Sequence, residues 1–355
     1  MKNNTPDLQH GMEKRSLVGV SSAVIALHLV GWGSLFTVVL PAQVGAGGDA
    51  GLLLALALSA YALGVRHAFD ADHIAAIDNA TRQLLSRGRQ TVSTGFWFAM
   101  GHSSVVILSV LLLALGLEVF AGGLSDESSG LREVAGIWGG TVSGLFLVAA
   151  GALNLSVLRS LSRIRRRMRA GDIDEKELHR HLNNRGLLHR FLLPFSKLMD
   201  RPWKMYPVGF LFGLGLDTAA SISLFVLASA LAPGLPWYSV MVLPVLFTAG
   251  MTLFDSADGV MMSRVYRWAS ADAVRKVNYN LVVTSVSVFV AFLIGGFGLL
   301  SVLAELPGAA PGILSGVAEI DLNFLGAGLA CFFTMVWLAT VTLRKIGPSA
   351  PVGTR

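Results

Sequence analysis

From Arg66 to His73 the chain reads Arg-His-Ala-Phe-Asp-Ala-Asp-His, which puts five ionisable side chains (Arg66, His67, Asp70, Asp72 and His73) into eight residues. Imidazole and carboxylate together are the donors of a borderline transition-metal ion, whereas an all-oxygen set suits Mg2+ or Mn2+. The stretch continues an apolar run from Gly51 to Val65 that is composed like a bilayer span. An Asp or Arg at the centre of a span costs about 2.5–3.5 kcal/mol on insertion scales. Groups that expensive persist where they pair, face a wet cavity or bind an ion.

Helical geometry limits how these groups can cooperate. With about 100° between successive residues, Arg66, Asp70 and His73 lie within about 60° of one another. His67 lies about 60° from Asp70 on the side away from His73, and Asp72 about 100° from His73 and about 140° from His67. A regular helix therefore cannot aim His67, Asp72 and His73 at one ion. Either the helix is broken here, as at many transporter sites, or Asp72 serves a neighbouring helix. An ion pair between Arg66 and Asp70 would leave the histidines for a metal.

Other apolar runs carry polar groups that packing alone would not select. His102 stands in Gly101-His102-Ser103-Ser104, and Asp217 in Leu214-Gly215-Leu216-Asp217-Thr218, sharing a helical face with Gly213 and Ser221. Met251, Asp255, Asp258 and Met262 follow at steps of four, three and four and form one stripe. Its methionines read as packing and its aspartates as functional. Such a carboxylate pair repels itself within a membrane unless a cation or a proton sits between. The stripe is thus expected to face the His67–His73 region across a shared cavity, with Phe254 near Phe69. His28, alone in the first apolar run, is either a ligand or a hydrogen-bonded packing residue.

The elements that must position these groups follow from composition. Hydrophobic residues make up 53% of the 355 and charged residues 14%, against about 25% charged in a soluble domain. The chain is read as an all-α, polytopic membrane protein of one domain. Since about 20 apolar residues cross the hydrocarbon core, eight spans are predicted at 18–40, 51–77, 92–117, 134–158, 206–232, 237–263, 279–303 and 322–343. The first is long for a signal-peptide core and is read as an uncleaved helix. With both termini cytoplasmic, every Lys and Arg except Arg132 and the intramembrane Arg66 falls on the inner side, the positive-inside pattern. The loop 159–205 holds Arg163-Ile-Arg-Arg-Arg167 with His179, His181 and His189. It reads as an anchor near anionic lipid heads, so the net charge of +6 implies no nucleic-acid partner. The single cysteine, Cys331, rules out an intramolecular disulfide and a Cys-rich metal centre, and reads as a packed thiol.

Arg66-His-Ala-Phe-Asp-Ala-Asp-His-Ile-Ala-Ala-Ile-Asp-Asn-Ala-Thr-Arg82 resembles the His-x4-Asp-His signature of the nickel/cobalt transporter family. Phe98-Ala-Met-Gly-His-Ser-Ser-Val-Val106, Leu214-Gly-Leu-Asp-Thr-Ala219 and Gly250-Met-Thr-Leu-Phe-Asp-Ser-Ala-Asp-Gly259 support the resemblance, in order, on spans three, five and six. It implies an eight-helix permease of the cytoplasmic membrane that moves Ni2+ or Co2+ inward at trace concentrations. The ion is then substrate, no cofactor is held permanently, and the signature roles fall on His67, Asp72 and His73. Two departures stand out: Ala220-Ser221 where the family motif reaches an acidic residue, and Ser256 where Thr is usual. Phe69 with His28 resembles members that accept both metals.

Competing chemistries fare worse. His67-x4-Asp72 also fits the pattern of glycerolipid acyltransferases, with His67 as base and Asp72 orienting it. That enzyme reading leaves His73, His102, Asp217, Asp255 and Asp258 without a role. There is no His-Glu-x-x-His and no Gly-x4-Gly-Lys-Ser/Thr, so neither a zinc metalloprotease of that type nor a P-loop ATPase is supported. Efflux of the same ions is the remaining alternative. Exporters of this kind often carry a strongly His-rich loop, and His179, His181 and His189 fall short of one.

Overall fold

Apolar chain within a bilayer must satisfy its backbone polar groups internally, which a helix does. In the computed structural model every regular element among the described residues is helical. Those residues are 5–114, 130–170, 199–215, 237–268 and 273–305, with single positions at 197 and 222 and scattered ones between 326 and 338. The later part of the expected fifth span, most of the expected eighth, and His179, His181 and His189 lie outside them.

Helix α1 (Thr5–Ser34) runs through a π-helical segment, Leu35–Val39, into α2 (Leu40–Gly45). Pro41 explains the irregularity: it has no N–H, and its ring presses on the carbonyl four residues back. The Leu40 N–H bonds Leu35 O instead. Helix α3 (Ala50–Ala68) opens on Asp49, whose carboxylate accepts from the Gly51 and Leu52 N–H groups at 2.7 and 3.2 Å.

The expected single span 51–77 is two helices. α3 stops at Ala68, Asp70 turns extended (φ −65°, ψ 139°), and α4 (Ala71–Ser86) restarts with Asp72 in its first turn. Carboxylates favour a helix N-terminus, where unbonded N–H groups leave partial positive charge. The residues from His73 to Leu84 are all buried, because α4 packs among its neighbours. This accounts for the polarity of a segment counted as half a span.

Helix α5 (Thr94–Ala114) is followed by α6 (Gly130–Arg169). At 40 residues α6 runs about 60 Å and carries the Arg163–Arg167 run as a continuation of the span expected to end at 158. A turn of 3-10 helix at Pro202–Lys204 leads into α7 (Met205–Gly213). There Lys204 Nζ and Asp200 Oδ1 form an ion pair at 2.7 Å, and the ammonium beside it holds the Asp200 carboxyl below the ordinary aspartate range. The short α8 (Trp237–Val240), α9 (Val242–Trp268) and α10 (Ala273–Glu305) complete the described helices.

Among the described residues, five helical segments are long and apolar enough to cross a membrane: Gly11–Gly45, Ala50–Ala68, Thr94–Leu112, Glu133–Arg166 and Leu281–Ala304. α9 is as long but interrupts its apolar residues with Asp255, Asp258 and Arg264. It packs on α1, α3, α4 and α5, while α10 packs on α6 and α4. Arg82, counted above with the inner loop, is buried at 7% exposure. Its Nη1 and Nη2 donate to Thr284 Oγ1 and Ser287 Oγ of α10 at 2.6 and 2.9 Å.

Two apolar clusters flank the bundle's polar centre. One gathers Ile77, Phe98, Leu147, Met205 and Met262, the other Leu35, Ala57, Val106, Leu246 and Phe247. Helices meet backbone to backbone between them: a Cβ at Gly95 would strike the Asp255 carbonyl, and one at Gly209 the Phe98 carbonyl. Overpacking a close-packed core costs about 1–3 kcal/mol. Gly209→Leu is expected to lose at least about that much, read as a fall in melting temperature of the detergent-solubilised protein. Gly296→Leu, where a Cβ meets nothing within 4 Å, is expected to stay within about 0.5 kcal/mol.

Candidate metal centre

The last turn of α3 presents His67, the first turn of α4 presents His73, and α5 presents His102; all three are buried. One ligand atom from each lies within 4.8 Å of the others. Their ring centroids are 4.6–4.8 Å apart. Phe98 packs edge-on against His73 at 4.9 Å and Phe247 against His67 at 5.7 Å, so apolar rings wall the cluster.

The hydrogen bonds assign the tautomers. His67 Nδ1 stands 2.8 Å from Asp70 Oδ2, and an acceptor-only carboxylate requires that nitrogen to carry the proton. In the neutral ring, the form that ligates a metal, His67 Nε2 is then a lone pair that at 2.9 Å accepts from His102 Nε2. An ion in this position would replace that N–H···N bond with two N–metal bonds. A carboxylate behind a ligating imidazole fixes the ring and raises its basicity; Asp70 is placed to do so for His67. Asp70 was expected to pair with Arg66, which is exposed one turn before it; the short contact of its carboxylate, at 2.8 Å, is with His67. The missed signal was the spacing of three between His67 and Asp70, which brings them together at the end of α3.

Asp255 enters from α9. It is fully buried, neither of its oxygens has a hydrogen-bond partner among the described residues, and His73 Nδ1 is 3.7 Å from Oδ2. A buried, unbonded carboxylate is an expensive arrangement that a bound cation resolves. The foreseen approach of the two segments is present: the Phe69 and Phe254 rings are 5.2 Å apart.

The remaining candidates are placed differently. Asp72 Oδ1 accepts the His73 backbone N–H at 2.9 Å, an N-terminal helix contact. Asp258, one turn from Asp255, stands next to Gly259, where α9 meets Ile77 of α4. His28 bonds Val24 O at 2.8 Å and approaches the Tyr61 hydroxyl at 3.3 Å, a packing arrangement between α1 and α3. Asp217 lies outside the described residues. Cys331, expected as a packed thiol, is exposed. The donor set gathered here is imidazole with carboxylate.

A family model described as high-affinity nickel-transport protein matches residues 53–343. The chain belongs to this family. Among its relatives, the nickel transporter NicT of Mycobacterium tuberculosis is 47% identical over 92% of this chain and 88% of its own length. The nickel transporter NixA of Staphylococcus aureus is 39% identical over 94% and 96%. The cobalt transport protein NhlF of Rhodococcus rhodochrous is 40% identical over 95% and 94%. No solved structure matches. The family consists of ion transporters, and the acyltransferase reading of His67 and Asp72 falls with it.

Removing an outer-shell partner of a metal ligand weakens binding about 10–100-fold. In this member of the nickel-transport family, Asp70→Asn is expected to weaken nickel affinity by that factor, measured by calorimetry on the purified full chain. Unchanged affinity would show that Asp70 does not act through His67.

Proposed function

We propose that the chain is a secondary transporter that takes up Ni2+, Co2+ or both across the cytoplasmic membrane. Its substrate ion is held by His67, His73 and His102 with Asp255. The observation that carries this reading is the convergence of three buried imidazoles, one backed by Asp70 and another 3.7 Å from the buried carboxylate of Asp255. Imidazole with carboxylate suits Ni2+ and Co2+, whereas an all-oxygen set suits Mg2+ or Mn2+.

The reading extends to topology and energy. Eight spans with cytoplasmic termini place the basic residues inside, and Asp217, Asp258 and Asp72 supply carboxylates along the route rather than the histidine centre itself. A membrane potential contributes about 2.3 kcal/mol per charge per 100 mV, which favours inward movement of a divalent cation without ATP. Uptake rather than efflux agrees with relatives named as high-affinity nickel transport proteins.

Cells expressing the chain are expected to accumulate radioactive nickel or cobalt from trace concentrations above an empty-vector control. Lowered accumulation of both would reverse the direction, and no change would sink the reading. His67→Ala, His73→Ala and His102→Ala should each reduce uptake by about a hundredfold or more at similar membrane abundance, because each removes a ligand. Normal uptake by the triple variant would place the ion elsewhere. For topology, cysteines at Ser125 and Gly171 in a Cys331→Ser background should react with an impermeant thiol reagent from opposite sides only. Labelling of both from outside would overturn the eight-span arrangement.

A further inference from the structure

Beyond the histidines, α4 carries a second polar set toward its Arg87 end. Asp78 and Arg82 stand one turn apart, both buried, and Thr81 is fully buried with no hydrogen-bond partner for its hydroxyl among the described residues. α9 meets this turn closely: a Cβ at Gly259 would lie 3.7 Å from Ile77 Cγ2. Asp258 and Asp78 are the chain neighbours of the two residues in that contact, and Asp258 Oδ2 is a buried oxygen with no hydrogen-bond partner among the described residues. Arg82 is clamped to α10 by its two bonds to Thr284 and Ser287, and Ser287 donates in turn to Val283 O at 3.1 Å.

Two carboxylates in a low-dielectric interior repel one another and attract a cation strongly. An ion path needs binding that is favourable enough to enter and weak enough to leave. A guanidinium does not lose its proton in proteins, so Arg82 is a permanent positive charge beside the pair. Its two-point attachment to α10 holds that charge in place. Resting on the transport reading above, we propose that Asp78 and Asp258 form a transit site for the divalent ion after it leaves the histidines, and that Arg82 is the fixed charge that prevents the ion from staying there. The ligand gradient agrees: oxygen donors suit Ni2+ and Co2+ less well than imidazole, so the ion passes from a tighter to a looser site.

The test measures nickel bound per chain, with radioactive nickel on the purified full chain in detergent, alongside uptake kinetics in cells. Wild type is expected to bind a single ion. Arg82→Gln should bind a second, with maximal uptake down about tenfold and KM no higher, because the loss lies in release rather than capture. Arg82→Lys, which keeps the charge, should bind a single ion and retain most of the uptake. Adding Asp78→Asn to Arg82→Gln should return binding to a single ion. An Arg82→Gln chain that binds one ion and transports like wild type would overturn the proposal. So would equal loss of uptake in Arg82→Gln and Arg82→Lys with one ion bound, which would make the clamp to α10 the whole role. If Arg82→Gln does not reach the membrane, Asp78→Asn decides: bound nickel at wild-type affinity with slowed uptake is expected, and loss of nickel binding would merge the two sites and overturn the proposal. A wild type that neither binds nor accumulates nickel would overturn the transport reading itself, a distinct outcome.

Discussion

The interruption of the helix at Phe69–Asp70 is the constraint on which the rest of the site depends. On a continuous helix His67 and His73 would be about 9 Å apart along the axis and about 120° apart around it. The break turns the chain so that their ring centroids come to 4.7 Å. It also leaves Asp70 in an extended conformation from which its carboxylate reaches back to His67 Nδ1. One local departure from helical geometry thus supplies both the convergence of the donors and the orientation of one of them. The ends of α3 and α4 also face the site, so the partial charges of two helix termini lie at its edge.

A break inside a membrane protein leaves backbone groups that lipid cannot satisfy, so it must be enclosed by protein. The enclosure is close. α9 crosses α3 and α5 at Gly64 and Gly95, where any side chain would strike the Phe247 or Asp255 carbonyl. Gly326 stands against the Phe69 carbonyl at the break itself. With α4 buried along its length, its polar side chains face other helices: Asn79 accepts from Asn154 of α6 at 2.6 Å, and Arg82 bonds α10. The same burial that permits the break makes α4 the axis along which charged groups are held.

Family membership and local chemistry agree on a metal ion as substrate, and they arrive there independently. The relatives are named for nickel and cobalt, while the site presents imidazole nitrogens, a carboxylate and no thiolate. Along α4 the order is imidazole, then carboxylate, then guanidinium, which is the order in which affinity for a divalent cation falls.

The sequence by itself determined the class of the protein and the donors of its site. Hydrophobic content, the length of the apolar runs and the density of ionisable residues from Arg66 to His73 are one-dimensional properties, and a bilayer penalises each charged group wherever the chain folds. Helical spacing even exposed the conflict between His67, Asp72 and His73 that required a break or a neighbouring helix. Tertiary structure decided which resolution applied and which partner each group took. Asp70 reaches His67, Asp72 meets the start of α4, and Asp258 stands on the turn of α9 that meets α4, while His28 joins Tyr61 away from the cluster. Arg82, which reads as one more basic residue of an inner loop, is buried against two hydroxyls of α10 that lie some two hundred residues further along the chain. Such pairings depend on which helix faces meet, and in this chain close contacts at glycines set those faces. No local pattern records them, because a glycine in the sequence does not say which backbone it admits.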